Sequence, residues 1–480
     1  MNNPRNRTRR NCRTWSDTLG SDHTQLLVAA VFLSTAFLMG GGSRADIVSL
    51  VILRPVAVVA IGFALYSLIA RKVVRQGAPF WLLLVLTLWI ALQLVPLPHW
   101  LWTSLPGREM SAAHDLLLFP GGVTRPLSLV PSGTWNALFS LTVPFAVMVS
   151  CARLDLVERM RLLGVVFAAA ALSVAVAALQ ILGPPNGPLY FFRITNYNNP
   201  VGLFSNRNHF AIFLASIQPL VIRELIQVQF AARRQPLIMA VSVSAIVCML
   251  VLVLASGSRA GTLLFAGSLA ASCALWLALG YRRGTLKGGT GGRLIPFASA
   301  GVIVLATGLA ILSTTRRTAI DRFLDESMDA DLRVKVAPQL WDMLTTYFPV
   351  GSGFGSFTRT YSTFEPLALL RPTYLNHAHN DFLEFPIEGG IIAVGLMLGF
   401  AVWFVAVTVR AGRVMWDSRK RLAPVDVAPF AVLALFILIA GSVGDYPLRT
   451  PSIAAWAALL CCLLVPPREG TDERGQQAGF

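Results

Sequence analysis

Residues 236–265 read PLIMAVSVSAIVCMLVLVLASGSRAGTLLF. Positions 236–256 hold no charged side chain, and the apolar run resumes at 260 and continues to 280. A hydrocarbon core of ~30 Å takes about 20 residues of helix to cross. Backbone polar groups in lipid must be satisfied internally, which selects helices. The stretch therefore predicts two membrane-spanning helices joined by a very short turn carrying Arg259. The same pattern recurs at 26–42, 47–70, 79–98, 134–151, 162–183, 209–222, 294–313, 386–409, 427–444 and 452–466. The expected fold is an all-α integral membrane protein of about 12 transmembrane helices.

Bulk composition agrees. Of 480 residues, 55% are hydrophobic and 13% charged, against roughly 25% charged in a soluble domain. A net charge of +16 raises nucleic acid as a partner, but the placement of the charge excludes it. With a cytoplasmic N-terminus, the segments 1–25, 71–78, 152–161, 223–235, 281–293, 410–426 and 467–480 face inward and hold 25 of the 40 Lys and Arg. Short outer loops are poor in both, which is the positive-inside bias. Arg5–Arg13 and Arg419–Arg421 are read as anchors near anionic lipid. Ser43-Arg44-Ala45 is a weak signal-cleavage site, and the first apolar segment is expected to be retained. The six cysteines avoid the outer loops and form no metal-ligand spacing, so they are read as small apolar packers.

The chain divides into a cytoplasmic basic tail (1–25), transmembrane helices 1–9 (26–313), a long outer loop (314–385), transmembrane helices 10–12 (386–466) and a cytoplasmic tail (467–480). KGGTGGR at 287–293 reads as a flexible connection. Within the long loop, apolar residues at 336, 340, 343, 344 and 347 predict a helix over 331–348 with a break at Pro338. Asp329 or Asp331 would cap it. PVGSGFGSF (349–357) follows no strand and reads as a turn, not a phosphate cradle.

Polar chemistry concentrates in a few places. NHAHNDFLEFPIEGG (376–390) crowds His377, His379, Asn380 and Asp381 immediately before a span. An imidazole there can exchange a proton near neutral pH, and Asn380 or Asp381 could orient it or a substrate hydroxyl. Half of a metal site and a solvated loop pair are the alternatives. Arg207, among Asn206, Asn208 and His209, and Arg259, between Gly257 and Gly261, sit at the outer ends of spans. Arginine near a bilayer is costly unless it is used; snorkelling to the interface is the other reading. Their planar forks suit phosphate oxygens. Arg54 lies inside the second span and needs a partner. Asp445 and Arg449 in GSVGDYPLRTP (441–451) form either a local pair or a wall of the same pocket.

NHAHNDFLEFPIEGG, GSRAG and FSNRNHFAIFL together resemble the O-antigen ligase and polymerase superfamily of bacterial envelope membrane proteins, over roughly residues 200–450. The resemblance implies glycan transfer from undecaprenyl diphosphate on the periplasmic face of the inner membrane. Acceptors in the family are a lipid A–core sugar (ligases) or another lipid-linked repeat unit (polymerases of O-antigen or exopolysaccharide). The family histidine is similar to His379, followed by Asn380 and, after nine intervening residues, Gly390. The arginines facing the diphosphate correspond to Arg207 and Arg259. Ala393 and Val394 stand where ligases tend to have paired threonines, and DYPLRTP resembles polymerase-like members, so the expectation leans toward polymerase.

The expected chemistry is single displacement with inversion, Arg207 and Arg259 holding the leaving diphosphate and His379 serving as base, without metal or other cofactor. His377, Asn380, Asp381, Asn206, His209, Asp445 and Arg449 are the expected substrate-binding residues. A transporter of the lipid-linked precursor is the rival from another class. It would place ionisable groups at the bilayer midplane and show repeat symmetry. Here the charges sit at the rim.

Overall fold

The computed structural model describes residues 22–71, 76–230, 235–282, 328–370, 374–416 and 426–465. The helices are α1 (Asp22–Met39), α2 (Leu50–Arg71), α3 (Ala78–Leu92), α4 (His99–Trp102), α5 (Glu109–Leu118), α6 (Pro131–Ser140), α7 (Thr142–Cys151), α8 (Leu156–Arg161), α9 (Leu163–Leu182), α10 (Arg207–Phe230), α11 (Pro236–Ala255), α12 (Arg259–Arg282), α13 (Met328–Tyr347), α14 (Phe357–Tyr361), α15 (Asp381–Trp416), α16 (Ala428–Gly441) and α17 (Pro451–Leu464). Among the described residues, strand pairing is confined to β1 (Pro96–Leu97) against β2 (Arg125–Pro126), antiparallel.

Eleven of the twelve expected apolar runs fall on these helices. The run 294–313 lies outside the described residues, as do 287–293, most of the basic tail 1–25, the tail 467–480, Arg419–Arg421, Cys12 and the start of the long loop. Seven stretches are long and apolar enough to cross a bilayer: Leu50–Ile69, Pro131–Cys151, Leu156–Leu182, Arg207–Gln229, Pro236–Ala255, Arg259–Gly280 and Asp381–Trp416. Four further apolar helices are shorter. The chain is thus a helical membrane protein, with seven full-length candidate spans among the described residues where about twelve were expected.

The run at 209–222 was expected to be a short span. It is instead the middle of the 24-residue helix α10, whose span is 83% buried against 17% for that of α15. α10 is therefore the central column, and α15 exposes most of its surface on the flank. The column carries polar groups that bond across helices, as spans without an aqueous hydrophobic drive require. Trp456 Nε1 donates to Ser216 Oγ at 3.0 Å, and Ser268 Oγ donates to Gln218 Oε1 at 2.6 Å. α16 and α17 have 14 residues each and are so about 21 Å long; α16 is buried against this column, whereas α17 packs mainly on α7 and α16 and reaches the column through Trp456. Arg54 finds an amide and not an acid: its Nη2 donates to Asn136 Oδ1 at 2.5 Å.

At one end of the bundle the interhelical connections bond to each other. Ser205 N donates to Gly41 O, Ser452 N to Gly40 O, Leu129 N to Ser352 O and Asp381 N to Ser442 O, all near 3 Å. These bonds bring residues 40–49, 93–130, 183–206, 348–370, 374–380 and 442–450 to a common end. A second small core packs there, from Val336, Leu340, Met343 and Tyr347 of α13 with Phe357, Tyr361 and Ile387. α13 runs unbroken through Pro338, and Asp329 and Asp331 lie inside it, not at its cap.

α15 begins at Asp381, five residues before the expected start, and changes direction at Gly390 (φ 60°, ψ −147°). That left-handed conformation suits glycine. The kink leaves the carbonyls just before it without helical donors. The 349–357 segment supplies them: Ser352 N donates to Ile387 O and Gly353 N to Glu388 O, both at 2.9 Å. Trp89 Nε1 donates to Gly389 O at 2.9 Å and Gln93 Nε2 to Glu388 O at 3.2 Å. In PVGSGFGSF the amides of Gly351, Ser352, Gly353, Phe354 and Ser356 are thus engaged by protein carbonyls, as a turn requires.

Candidate active site

Two helices begin at this end with the two arginines singled out in the sequence. Asn206 caps α10: its Oδ1 accepts from Asn208 N at 2.8 Å, and its carbonyl accepts from Phe210 N. Ser258 caps α12 in the same way, accepting from Gly261 N at 3.1 Å. Arg207 and Arg259 are therefore the first helical residues, where N–H groups and the helix dipole already favour an anion. The two helices approach closely because one partner is glycine. A Cβ on Gly261 would stand 2.3 Å from Ala211 Cβ. Gly257 (φ 66°) makes the turn before Arg259, and a Cβ there would stand 3.7 Å from Arg207 Nη1. The Arg207 guanidinium thus borders the turn that carries Arg259.

The next residues of α10 meet the turn before α17. Asn208 Nδ2 donates to Asp445 Oδ2 at 2.7 Å, and Tyr446 N donates to Asp445 Oδ1 at 3.0 Å. Two imidazoles flank the same carboxylate: His209 Nε2 and His379 Nδ1 each lie 3.5 Å from Asp445 Oδ1. Burial would raise the Asp445 pKa, but hydrogen bonding and charge attraction from His209 and His379 outweigh it and hold the group well below the usual carboxylate range. His209 is fully buried, and its Nδ1 meets Thr450 Oγ1 at 2.8 Å. The His379 side chain is 23% exposed. Of the two, His379 is the imidazole that faces outward. Its backbone is left-handed (φ 51°), a conformation that costs on the order of 1–3 kcal/mol outside glycine and collects at functional sites.

The loop that carries His379 is clamped on both sides. Asn380 caps α15, its Oδ1 accepting from Phe382 N at 3.0 Å. Glu384 accepts from Ala378 N at 2.6 Å and meets His377 Nδ1 at 2.8 Å. Asp381, Glu384 and Glu388 share one face of α15, and all three grip Arg449. Its Nε lies 3.0 Å from Asp381, and its Nη1 3.1 Å from Glu384 and 3.4 Å from Glu388. The Tyr446 ring sits among the three histidines, with centroids 4.3 Å from His377 and 5.0 Å from both His209 and His379. Burial, then the Asp445 charge, pushes its phenol above the ordinary tyrosine value.

The structure thus brings His379, His377, Asp445, His209, Arg207 and Arg259 to one end of the bundle. It reassigns others. Asp445 and Arg449 do not pair with each other; they go to the histidines and to the three carboxylates respectively. Asn206 and Asn380 are helix caps, and Asp381 is turned to Arg449, so neither Asn380 nor Asp381 orients an imidazole. His209 stands behind Asp445 and does not line the surface. Sequence reasoning missed Glu384, Glu388, Tyr446 and Thr450. The i, i+3, i+7 spacing of Asp381, Glu384 and Glu388 was a readable signal, since it puts three acids on one helical face. Among the described residues, no cluster of His, Cys, Asp and Glu is arranged to hold a metal ion.

A search of curated proteins finds no match to the chain. The sequence model of the family described as O-antigen ligase matches residues 244–398, a stretch that includes α12 with Arg259, α13, the 349–357 turn and the His377–His379 loop. That match, over about a third of the chain, supports the resemblance of this part of the chain to the O-antigen ligase and polymerase superfamily.

Proposed function

We propose that the chain is an inverting membrane glycosyltransferase that takes its glycan from an undecaprenyl-diphosphate donor at the periplasmic face, and that it is a polysaccharide polymerase. The observation that carries this reading is the meeting of Asn208, His209 and His379 on Asp445, beside the helix starts that bear Arg207 and Arg259. A lipid diphosphate has its tail in the bilayer and its charge at the boundary, and two guanidinium forks at the ends of spans are suited to meet it there. Charge accumulates on the leaving diphosphate as the sugar–phosphate bond breaks. Fixed cations bind that state more tightly than the ground state, which lowers the barrier.

The acceptor hydroxyl is the weak partner and needs a base. His379 Nδ1 lies 3.5 Å from Asp445 Oδ1, so the carboxylate charge stabilises the ring as its other nitrogen takes the proton. Such a base contributes about 10²–10⁴-fold. The Asp445 carboxylate is occupied by Asn208, Tyr446 N and the imidazoles, so it is suited to orientation and not to nucleophilic attack. Direct attack of the acceptor on the anomeric carbon, with inversion, follows.

A ligase acting on lipid A–core is the second reading, from the family description itself. Ala393, fully buried beside Ile90 and Phe354, stands where ligases tend to carry threonine, and it favours the polymerase. The glycan profile of a deletion strain decides: single repeats on lipid A–core indicate a lost polymerase, whereas bare core with long lipid-linked chains indicates a lost ligase. Labelled precursor moved across vesicles without transfer would instead indicate a transporter. His379→Ala and Arg259→Ala should each abolish product while the protein persists in the membrane.

A further inference from the structure

The site has a rim whose chemistry the transfer reaction does not use. A sugar joined to a diphosphate at Arg207 and Arg259 points its remaining glycan out of the bundle, across the loops at this end. One rim segment is 193–199. Asn196 Oδ1 accepts from the Arg207 amide at 2.9 Å, which ties this segment to the start of α10. Asn196, Tyr197 and Asn198 are exposed. The other segment begins at Tyr374, three residues before His377 and 58% exposed.

A line of contacts joins the two segments. Arg193 Nη2 lies 3.2 Å from Asp46 Oδ2, and Arg44 Nε lies 3.0 Å from Asp46 Oδ1. Arg44 Nη2 in turn donates to Tyr374 Oη at 2.7 Å. The rim therefore runs continuously from the arginine side to the histidine side.

Its composition is specific. A pyranose ring has an apolar C–H face and a hydroxyl edge. Exposed tyrosine rings suit the face, and asparagine amides and arginine forks suit the edge. Two arginines against one aspartate leave the rim with surplus positive charge, which also accepts a sugar carboxylate. We propose that Tyr374, Tyr197, Asn196 and Arg193 form a subsite that grips the second and following sugars of the donor glycan. The subsite rests on the reading of the neighbouring centre as one of glycan transfer.

The experiment uses the purified full chain in proteoliposomes with two polyprenyl-diphosphate donors, one bearing a single sugar and one a complete oligosaccharide. Tyr374→Ala and Tyr197→Ala should each raise KM for the long donor about tenfold, leave its kcat near the wild-type value and barely affect the short donor. Two variants on separate loops keep the test decisive if one fails to express. An equal loss with both donors would make the tyrosines structural or interfacial anchors and overturn the subsite. Unchanged kinetics with both would overturn it as well. A wild-type protein inactive on either donor would instead remove the transfer reading itself.

Discussion

Arg449 lies in a turn at the end of the bundle, its side chain 22% exposed, with Glu384 and Glu388 fully buried against it. Replacing it with alanine would leave three carboxylates on one face of α15 without their shared cation. An exposed ion pair contributes about 0–1 kcal/mol, but that figure assumes that water takes over when the partner is lost. Here two of the three acids have no access to water. The relevant magnitude is the cost of leaving a buried charge uncompensated, about 3–5 kcal/mol. The guanidinium bonds with Nε and Nη1 to different acids, so Arg449→Lys should recover only part of the loss.

Thermal unfolding in nanodiscs measures the effect. Arg449→Ala should fall clearly below wild type, and Glu384→Gln with Glu388→Gln in the same background should restore much of the difference. The rescue separates charge from packing, because the amides keep the shape and remove the charge. A stability loss under about 1 kcal/mol, or no rescue, would refute the view that Arg449 is there to neutralise the α15 acids.

Gly390→Ala should destabilise the protein by about 2–5 kcal/mol, from left-handed strain and from overpacking. A Cβ there would lie 2.1 Å from Pro349 O, so limited proteolysis should find the 349–357 turn released. Asp445→Asn has a pH signature. A carboxylate with a depressed folded pKa stabilises the fold at pH above its ordinary value, near ~4, and that contribution is lost only as pH falls through the lower folded value. The gap in Tm between wild type and Asp445→Asn should therefore persist from pH 8 to about 5 and close only below about 4; closure between pH 7 and 5 would show that another group controls it. Arg259→Lys should lose most of the transfer activity with normal folding, because an ammonium cannot bind two phosphate oxygens in one plane; full activity would reduce Arg259 to a point charge.

The helical membrane fold was legible because run length and absence of charge report directly on the solvent. The clustering of Arg207, Arg259 and His379 was legible because each breaks that pattern at the same kind of place, the end of a span. Helix boundaries were less so. α10 continues to Phe230, past Arg223 and Glu224, which pair with each other, whereas a hydropathy reading stops at the first charge. The kink at Gly390 depends on carbonyls that only the distant 349–357 turn can satisfy. The partner choice of Arg449 was hidden because the acids it meets lie more than 60 positions earlier, whereas Asp445 is four residues away. Asn206 and Asn380 drew attention as polar residues beside an arginine and a histidine; helix capping explains both.

The most direct measurement is glycan transfer by the purified protein in proteoliposomes, from a polyprenyl-diphosphate oligosaccharide to an acceptor, with wild type and His379→Ala reconstituted in equal amounts. Wild type should elongate or transfer the labelled glycan, and the variant should give no product above the no-protein control while still binding the donor. Undiminished product from His379→Ala would contradict the assignment of its imidazole, held on Asp445 beside the two arginine-bearing helix starts, as the group that activates the acceptor.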